Sequence, residues 1–387
     1  MSSSIVKQPI VLAAGGTGGH IFPAEALAEA LMQRGEHVIL VTDHRFAHFQ
    51  TGALSQVEKR MIRAGTVGSG LYKKVTGIGG LLVGIVQAYF LLRRLQPKVV
   101  IGFGGYPSFP TVFAAGSLKI PTIIHEQNSV LGRANRLLAP RVNIIATSFP
   151  LTLMLDEKDK SKIRMTGNPV RASVCALRGI AYPGIVQDGQ IQILVTGGSQ
   201  GASVFSKIVP EAIAALPQAL RMRVRIDQQC READLEPTRA AYAQLGLQVN
   251  LASFFADLPA RLAASHLVIA RSGASTVCEL AVAGRPGILV PLPTSMDNHQ
   301  YYNAQALEEA GGGWVMSQEG FTPASLAARL EAFLTSPETL TKAAEGARKF
   351  GSPDAAEKLA ELVLAVSEGK HKSAQDYNIS DFIRGAA

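Results

Sequence analysis

The sequence predicts an α/β protein built from two doubly wound parallel-sheet domains. Three observations point there. Short apolar runs alternate with helix-compatible stretches, the order strand, glycine-rich turn, helix occurs near residue 10 and again near residue 191, and 387 residues exceed one ordinary core. A composition of 47% hydrophobic and 18% charged residues, with 37 Gly and 20 Pro, fits a well-buried globular chain and excludes a disordered or fibrous one.

The first strand is the apolar run Ile10-Val11-Leu12-Ala13-Ala14, and it ends in Gly15-Gly16-Thr17-Gly18-Gly19-His20. A helix is expected over residues 23–34 and a second strand over 37–41, after Gly35. Further strands are expected at 99–101, 122–124 and 143–146. The pattern restarts at 191–195, which lead into Thr196-Gly197-Gly198-Ser199-Gln200-Gly201-Ala202-Ser203 and a helix from Val204. Strands at 223–226, 249–251, 267–270 and 287–290 complete the second half. Turn-forming residues between 167 and 183 mark the boundary, giving domains over 1–172 and 173–355. An amphipathic helix over 354–366 leads a C-terminal segment, 356–387, that is a candidate to return to the first domain. Ligands of open parallel sheets bind outside the carboxyl ends of the strands, so an inter-domain cleft is the expected site.

Residues 1–170 hold 19 Lys+Arg against 9 Asp+Glu, so the net +8 lies wholly in the first half. Such a half-molecule suits an anionic surface, phospholipid or nucleic acid. The aromatic interleaving and recognition motifs of a nucleic-acid binder are missing, so no nucleic acid is expected as a partner. Cys175, Cys230 and Cys278 have neither metal-ligand nor redox spacing, and reduced cytosolic thiols are expected. Residues 1–9 carry no export signal pattern, which places the catalytic domains in the cytoplasm.

Neither glycine-rich turn continues as a Walker loop, which removes the main support for ATP hydrolysis. The first turn also misses the third glycine of the dinucleotide fingerprint, although Asp43 keeps that reading open. What both turns retain is a close backbone approach and helix N-terminal amides, the requirements for pyrophosphate binding. His20, where the first turn enters its helix, is a candidate general base. The run His125-Glu126-Gln127-Asn128 concentrates polar side chains after a strand and lacks the second histidine of a zinc motif. Arg271-Ser272-Gly273-Ala274-Ser275-Thr276 opens a third phosphate-compatible helix, with Glu279 placed to accept from vicinal sugar hydroxyls. Another polar loop holds Asp297, Asn298, His299 and Gln300. Residues 79–95 form an apolar stretch flanked by Lys73, Lys74, Arg93 and Arg94. As a helix its 17 residues span about 25 Å, short of a roughly 30 Å hydrocarbon core, so it is expected to dip into a bilayer interface through Leu82, Phe90, Arg93 and Arg94.

These segments, together with Gly102-Phe103-Gly104-Gly105-Tyr106, Gly167-Asn168-Pro169-Val170-Arg171 and Gln300-Tyr301-Tyr302-Asn303, resemble the MurG family of bacterial peptidoglycan glycosyltransferases along nearly the whole chain. The resemblance implies a GT-B fold of two Rossmann-like domains facing a cleft. It implies inverting transfer of N-acetylglucosamine from UDP-N-acetylglucosamine to the C4 hydroxyl of the muramyl sugar of lipid I, giving lipid II and UDP. Lipid I would lie on the first domain, near Gly104, Gly105 and Tyr106. Carried over by motif, Thr17, Gly18, Gly19, Asn128, Arg171, Ser199, Gln200 and Gly201 serve the donor and its diphosphate. Phe255, Ala274, Ser275, Thr276 and Glu279 flank uridine, and His299 and Gln300 address the sugar. His20 is the first choice as base and Glu126 the second. No cofactor and no catalytic metal are implied, since no Asp-x-Asp pair occurs. The implied location is peripheral, on the cytoplasmic face of the bacterial inner membrane, with anionic lipid and other cell-wall synthesis proteins as partners. The rivals are another GT-B transferase and a non-hydrolysing UDP-N-acetylglucosamine epimerase.

Overall fold

The computed structural model describes residues 7–15, 18–44, 52–65, 71–186, 189–198, 201–247 and 249–370, the side chains of residues 71–75 excepted. The chain divides into two compact units, one formed by residues 1–171 with 354–387 and the other by residues 172–353.

Unit 1 is built on seven strands, β1 (Ile10–Ala13), β2 (Val38–Thr42), β3 (Glu58–Met61), β4 (Val99–Gly102), β5 (Thr122–Glu126), β6 (Ile144–Thr147) and β7 (Ile163–Met165). They pair in the order β3-β2-β1-β4-β5-β6-β7. Every pair is parallel, so all carboxyl ends share one edge. Alternation along the strands fills two cores. Ile10 and Leu12 face α1 (Gly18–Gln33), while Val11 faces α2 (Leu71–Leu95) and α3 (Ser108–Ser117). The first core is completed from the far end of the chain, where the helix Ala355–Ser367 buries Leu359, Leu362, Val363 and Val366 beside Ile21, Leu27 and Leu31. Each such side chain is stabilising by about 1.5–3 kcal/mol before ordering costs, enough to bind the segment into unit 1.

Helix α2 corrects the expectation of a short apolar segment. It runs 25 residues, about 37 Å, and its part Thr76–Leu95 is long and apolar enough to cross a membrane by length and composition alone. Its geometry is that of a docked helix with one face on the sheet. Gly84, Ala88 and Leu92 recur every four residues and are buried. Gly84 permits that approach, because a Cβ there would fall 2.1 Å from the Arg63 carbonyl oxygen. The opposite face exposes Ile78, Leu82, Val83, Val86 and Phe90, with Arg93 and Arg94 exposed in the last turn.

Unit 2 holds β8 (Ile191–Thr196), β9 (Val224–Gln229), β10 (Val249–Ala252), β11 (Leu267–Ala270), β12 (Gly287–Leu289) and β13 (Gly313–Val315). Their order is β10-β9-β8-β11-β12-β13, again wholly parallel. Ile191, Ile193 and Val195 of the central strand face Phe205, Val209 and Ile213 of the helix Ser203–Ala214 in one continuous core.

Candidate functional site

In each unit the strand order reverses beside the first strand, at β1/β4 and at β8/β11, and such switch points leave a crevice at the carboxyl edge. The glycine-rich turns stand at these points. In unit 1 the turns after β1 and β4 touch, since a Cβ on Gly105 would lie 2.3 Å from the Gly15 carbonyl oxygen. Gly104 and Gly105 have φ of 84° and 75°, a left-handed pair that side chains oppose. A Cβ on Gly104 would also lie 3.1 Å from both Nε2 and Cδ2 of His20. His20, in the first turn of α1, is therefore seated on the bare backbone of Gly104, and its imidazole is half-buried. Gly18 and Gly19 open the same helix, where amides have no intrahelical acceptor, and Tyr106 is exposed beyond the second turn. Thr17 lies outside the described residues. Asp43 is buried, not presented to a ligand at the edge, and the dinucleotide reading loses its ribose contact.

At the end of β5 the polar run forms a closed network. Glu126 is 2% exposed, and its Oε1 accepts from Asn128 N (3.0 Å) and Nδ2 (3.1 Å). Its Oε2 accepts from Gly132 N and Asn135 Nδ2, each at 2.8 Å. Four donors thus converge on one carboxylate, which fixes the loop leading into α4 (Arg133–Leu138). With four donors on it and 2% exposure, Glu126 has the geometry of a loop brace, which weighs against the second choice of base. Asn128 is the member of the pair set at the loop surface. His125 is fully buried. Its Nε2 donates to the Gly167 carbonyl (3.2 Å), so its Nδ1 is the acceptor for Gln127 Nε2 (3.0 Å). Burial is the main reason its pKa falls to about 4, which leaves the ring neutral. Arg171 lies with its guanidinium 5.0 Å from the centre of the Phe22 ring, near the Glu25 carboxylate on α1.

In unit 2, Thr196 at the end of β8 donates to Gln229 Oε1 (2.8 Å) and accepts from Gly198 N (3.3 Å), which ties the turn to the neighbouring strand. Gly198 and Gly201 have φ of 73° and 66°. Ser199 and Gln200 lie outside the described residues. Beyond β11, Gly273 caps the helix Ala274–Ala283, which holds Ala274, Ser275 and Thr276 in its first turn and Glu279 a turn and a half in. The hydroxyls of Ser272 and Ser275 are buried there without a hydrogen-bond partner, a costly arrangement that a polar ligand or water would relieve. His299 and Gln300 begin the helix His299–Glu309 and are drawn back onto the preceding loop. Leu292 N donates to Gln300 Oε1 (2.9 Å), and His299 Nδ1 lies 2.8 Å from the Met296 carbonyl oxygen.

The two aromatics after β10 differ in exposure. Phe255 is 8% exposed and carries the Arg261 guanidinium 4.2 Å from its ring centre, so it is a packing residue. Its neighbour Phe254 is 74% exposed just after β10, with its ring open to solvent. Nothing in the sequence beyond two adjacent aromatics after a strand distinguishes them.

Two family models match the chain, the glycosyltransferase family 28 N-terminal domain over residues 10–147 and its C-terminal domain over residues 192–359. A protein of Rhodospirillum centenum named UDP-N-acetylglucosamine--N-acetylmuramyl-(pentapeptide) pyrophosphoryl-undecaprenol N-acetylglucosamine transferase is 54% identical over 369 residues, 95% of this chain and 97% of that one. One of the same name from Paramagnetospirillum magneticum is 52% identical over 94% of this chain and 98% of its own. Among solved structures, MurG of Acinetobacter baumannii superposes with a TM-score of 0.74 at 29% identity, covering 92% of this chain and 99% of that one. A UDP-GlcNAc 2-epimerase of Neisseria meningitidis, bound to UDP-GlcNAc, gives 0.63 at 16% identity over 92% of this chain and 99% of its own, a likeness of fold alone. The fold is GT-B. With relatives of that name covering 95% and 94% of its length, the chain belongs to glycosyltransferase family 28 and, within it, to the MurG family.

Proposed function

We infer that this enzyme transfers N-acetylglucosamine from UDP-N-acetylglucosamine to the C4 hydroxyl of the muramyl sugar of lipid I, giving lipid II and UDP in peptidoglycan synthesis. The observation that carries the reading is the near full-length identity of 54% and 52% to transferases of that name. The epimerase alternative has only the shared fold behind it. In the proposed step the C4 oxygen attacks the anomeric carbon from the face opposite the diphosphate. The carbon–oxygen bond to phosphate breaks, UDP leaves with the bonding pair, and the hydroxyl proton passes to His20. Inversion follows from the single displacement. The seat of His20 on Gly104 supports its role as base, because a half-buried imidazole with a fixed ring face is held ready for one acceptor hydroxyl.

The diphosphate of the donor is assigned to the turn ending at Gly201 and to the start of the helix Ala274–Ala283, with Glu279 on the ribose and Gln300 on the sugar. Helix amides and Arg171 offset the charge of the leaving group, a task a metal ion would otherwise fill, and turnover is expected to survive chelators. Gly104, Gly105 and Tyr106 are assigned to the acceptor. The exposed face of α2 with Arg93 and Arg94 is assigned to an anionic membrane surface, and this supports the reading of a peripheral enzyme on the cytoplasmic face of the inner membrane. Incubating purified protein with UDP-N-acetylglucosamine and a lipid I analogue tests the reading. One UDP should appear per β-1,4-linked product, and no epimer should form without acceptor. His20→Ala should lower kcat by about 10²- to 10⁴-fold with donor affinity kept; near-normal turnover removes His20 as the base.

A further inference from the structure

Arg231 has no part in the assignments carried over from the family, yet the fold delivers it to the glycine-rich turn of unit 2. β9 and β11 flank β8 in the sheet, so the segments that leave them pass on either side of the turn that leaves β8. The segment after β11 begins with Arg271, and the segment after β9 reaches Arg231 two residues past Gln229. A Cβ on Gly201 would fall 2.9 Å from Cγ of Arg231 and 3.5 Å from its backbone nitrogen. The stem of the arginine therefore crosses the bare face of Gly201, a second demand for glycine there besides its φ of 66°.

The backbone that carries Arg231 is held in place from several sides. Cys230 N donates to the Ala252 carbonyl (3.0 Å), and Ser203 Oγ, at the start of the helix following the turn, donates to Asp234 Oδ2 (2.6 Å). The Arg231 residue itself is exposed. The Arg271 guanidinium donates to the Val290 and Pro291 carbonyls and to Gln318 Oε1, lying 5.3 Å from the Phe205 ring centre. Burial first, and then the like charge of Arg231, press Arg271 below the ordinary arginine range, so the two cations share one field. Of the nearby acids, Asp234 accepts from Ser203 and Glu232 is exposed to solvent, so they reduce that field but leave the contact of Arg231 with Gly201 as it stands. Two cations flanking a glycine-rich turn make a place where an anion lowers the energy of both.

We propose that Arg231 binds the diphosphate of the nucleotide donor at the Gly201 end of this turn, with Arg271 as a fixed positive background and not a direct contact. The proposal rests on the reading that unit 2 holds a nucleoside diphosphate sugar. Calorimetric titration of UDP and of uridine against the wild type, Arg231→Ala and Arg231→Lys separates the two ideas. The wild type should prefer UDP, with an affinity that falls as salt rises. Arg231→Ala should lose roughly 10- to 100-fold in UDP affinity and most of the salt dependence, with uridine affinity and melting temperature unchanged. Arg231→Lys should recover part of the loss, because a point charge replaces a forked donor. Equal UDP affinity in wild type and Arg231→Ala, or equal losses for UDP and uridine, would overturn the assignment. A wild type that binds neither compound would instead sink the nucleotide reading itself.

Discussion

Glu126→Gln separates a catalytic carboxylate from a structural one. The substitution keeps the size of the side chain and replaces one acceptor oxygen by a donor. If the new amide takes the Oε2 position, Gly132 N and Asn135 Nδ2 both lose an acceptor at 2.8 Å. Asn135 can turn its amide, because its Oδ1 is buried without a partner, but it then gives up its 3.4 Å contact with the His125 carbonyl. The Gly132 amide has no such escape. At about 1–3 kcal/mol for each buried donor left unsatisfied, with Asn135 partly relieved, the loop should lose about 2–4 kcal/mol. In native-state hydrogen exchange that is a rise of roughly 30- to 1000-fold in the opening of the Asn128 and Gly132 amides. Turnover should fall within about one order of magnitude, as expected of a loosened support. Unchanged exchange at these amides together with a kcat loss beyond 10³-fold would refute the brace and restore Glu126 as the base.

Phe254→Ala should raise the KM for UDP-N-acetylglucosamine at unchanged melting temperature, whereas Phe255→Ala should cost about 3–5 kcal/mol of stability; the reverse pattern would reinstate Phe255 as the stacking ring. Leu82→Ser with Phe90→Ser, at 59% and 63% exposure, should weaken binding to vesicles containing anionic lipid by 10-fold or more with folding intact, measured by sedimentation, and unchanged partition would exclude this face. His125 is protonated near pH 6.5 when unfolded but only near pH 4 when folded, so its contribution is complete above about pH 6.5 and is lost as pH falls toward 4. The loss should be on the order of 3 kcal/mol relative to His125→Gln in chemical unfolding at pH 7 and pH 4; parallel curves would show that the ring is not held neutral.

Strands buried on both faces were readable because they are short unbroken apolar runs, as in Leu267–Ala270, where expectation and structure coincide. β3 was hidden by its own sequence, Glu58-Lys59-Arg60-Met61, whose charges suit an exposed edge strand and not an apolar pattern. β7 and β13, three residues each, offer too little to read. Helix α2 was read short because its N-terminal part mixes Lys73, Lys74 and Gly77 into the apolar run, while continuous backbone hydrogen bonding carries it on. Motif and spacing brought out the residues near the switch points, among them His20, Gly104 and Glu279. They could not separate Phe254 from Phe255, nor brace from base at Glu126, since these depend on which side of a loop faces solvent. Arg231 was unreadable because its place depends on β9 lying next to β8.

The helix Ala355–Ser367 finishes the core of a unit whose other residues are made first, while residues 172–353 form an uninterrupted stretch. During synthesis, therefore, the middle of the chain can reach its native form on leaving the ribosome. The amino-terminal part waits, with Ile21, Leu27 and Leu31 short of their final cover, until residues 355–367 have been translated. Premature termination near residue 353 would spare the later-made half and strand the earlier one.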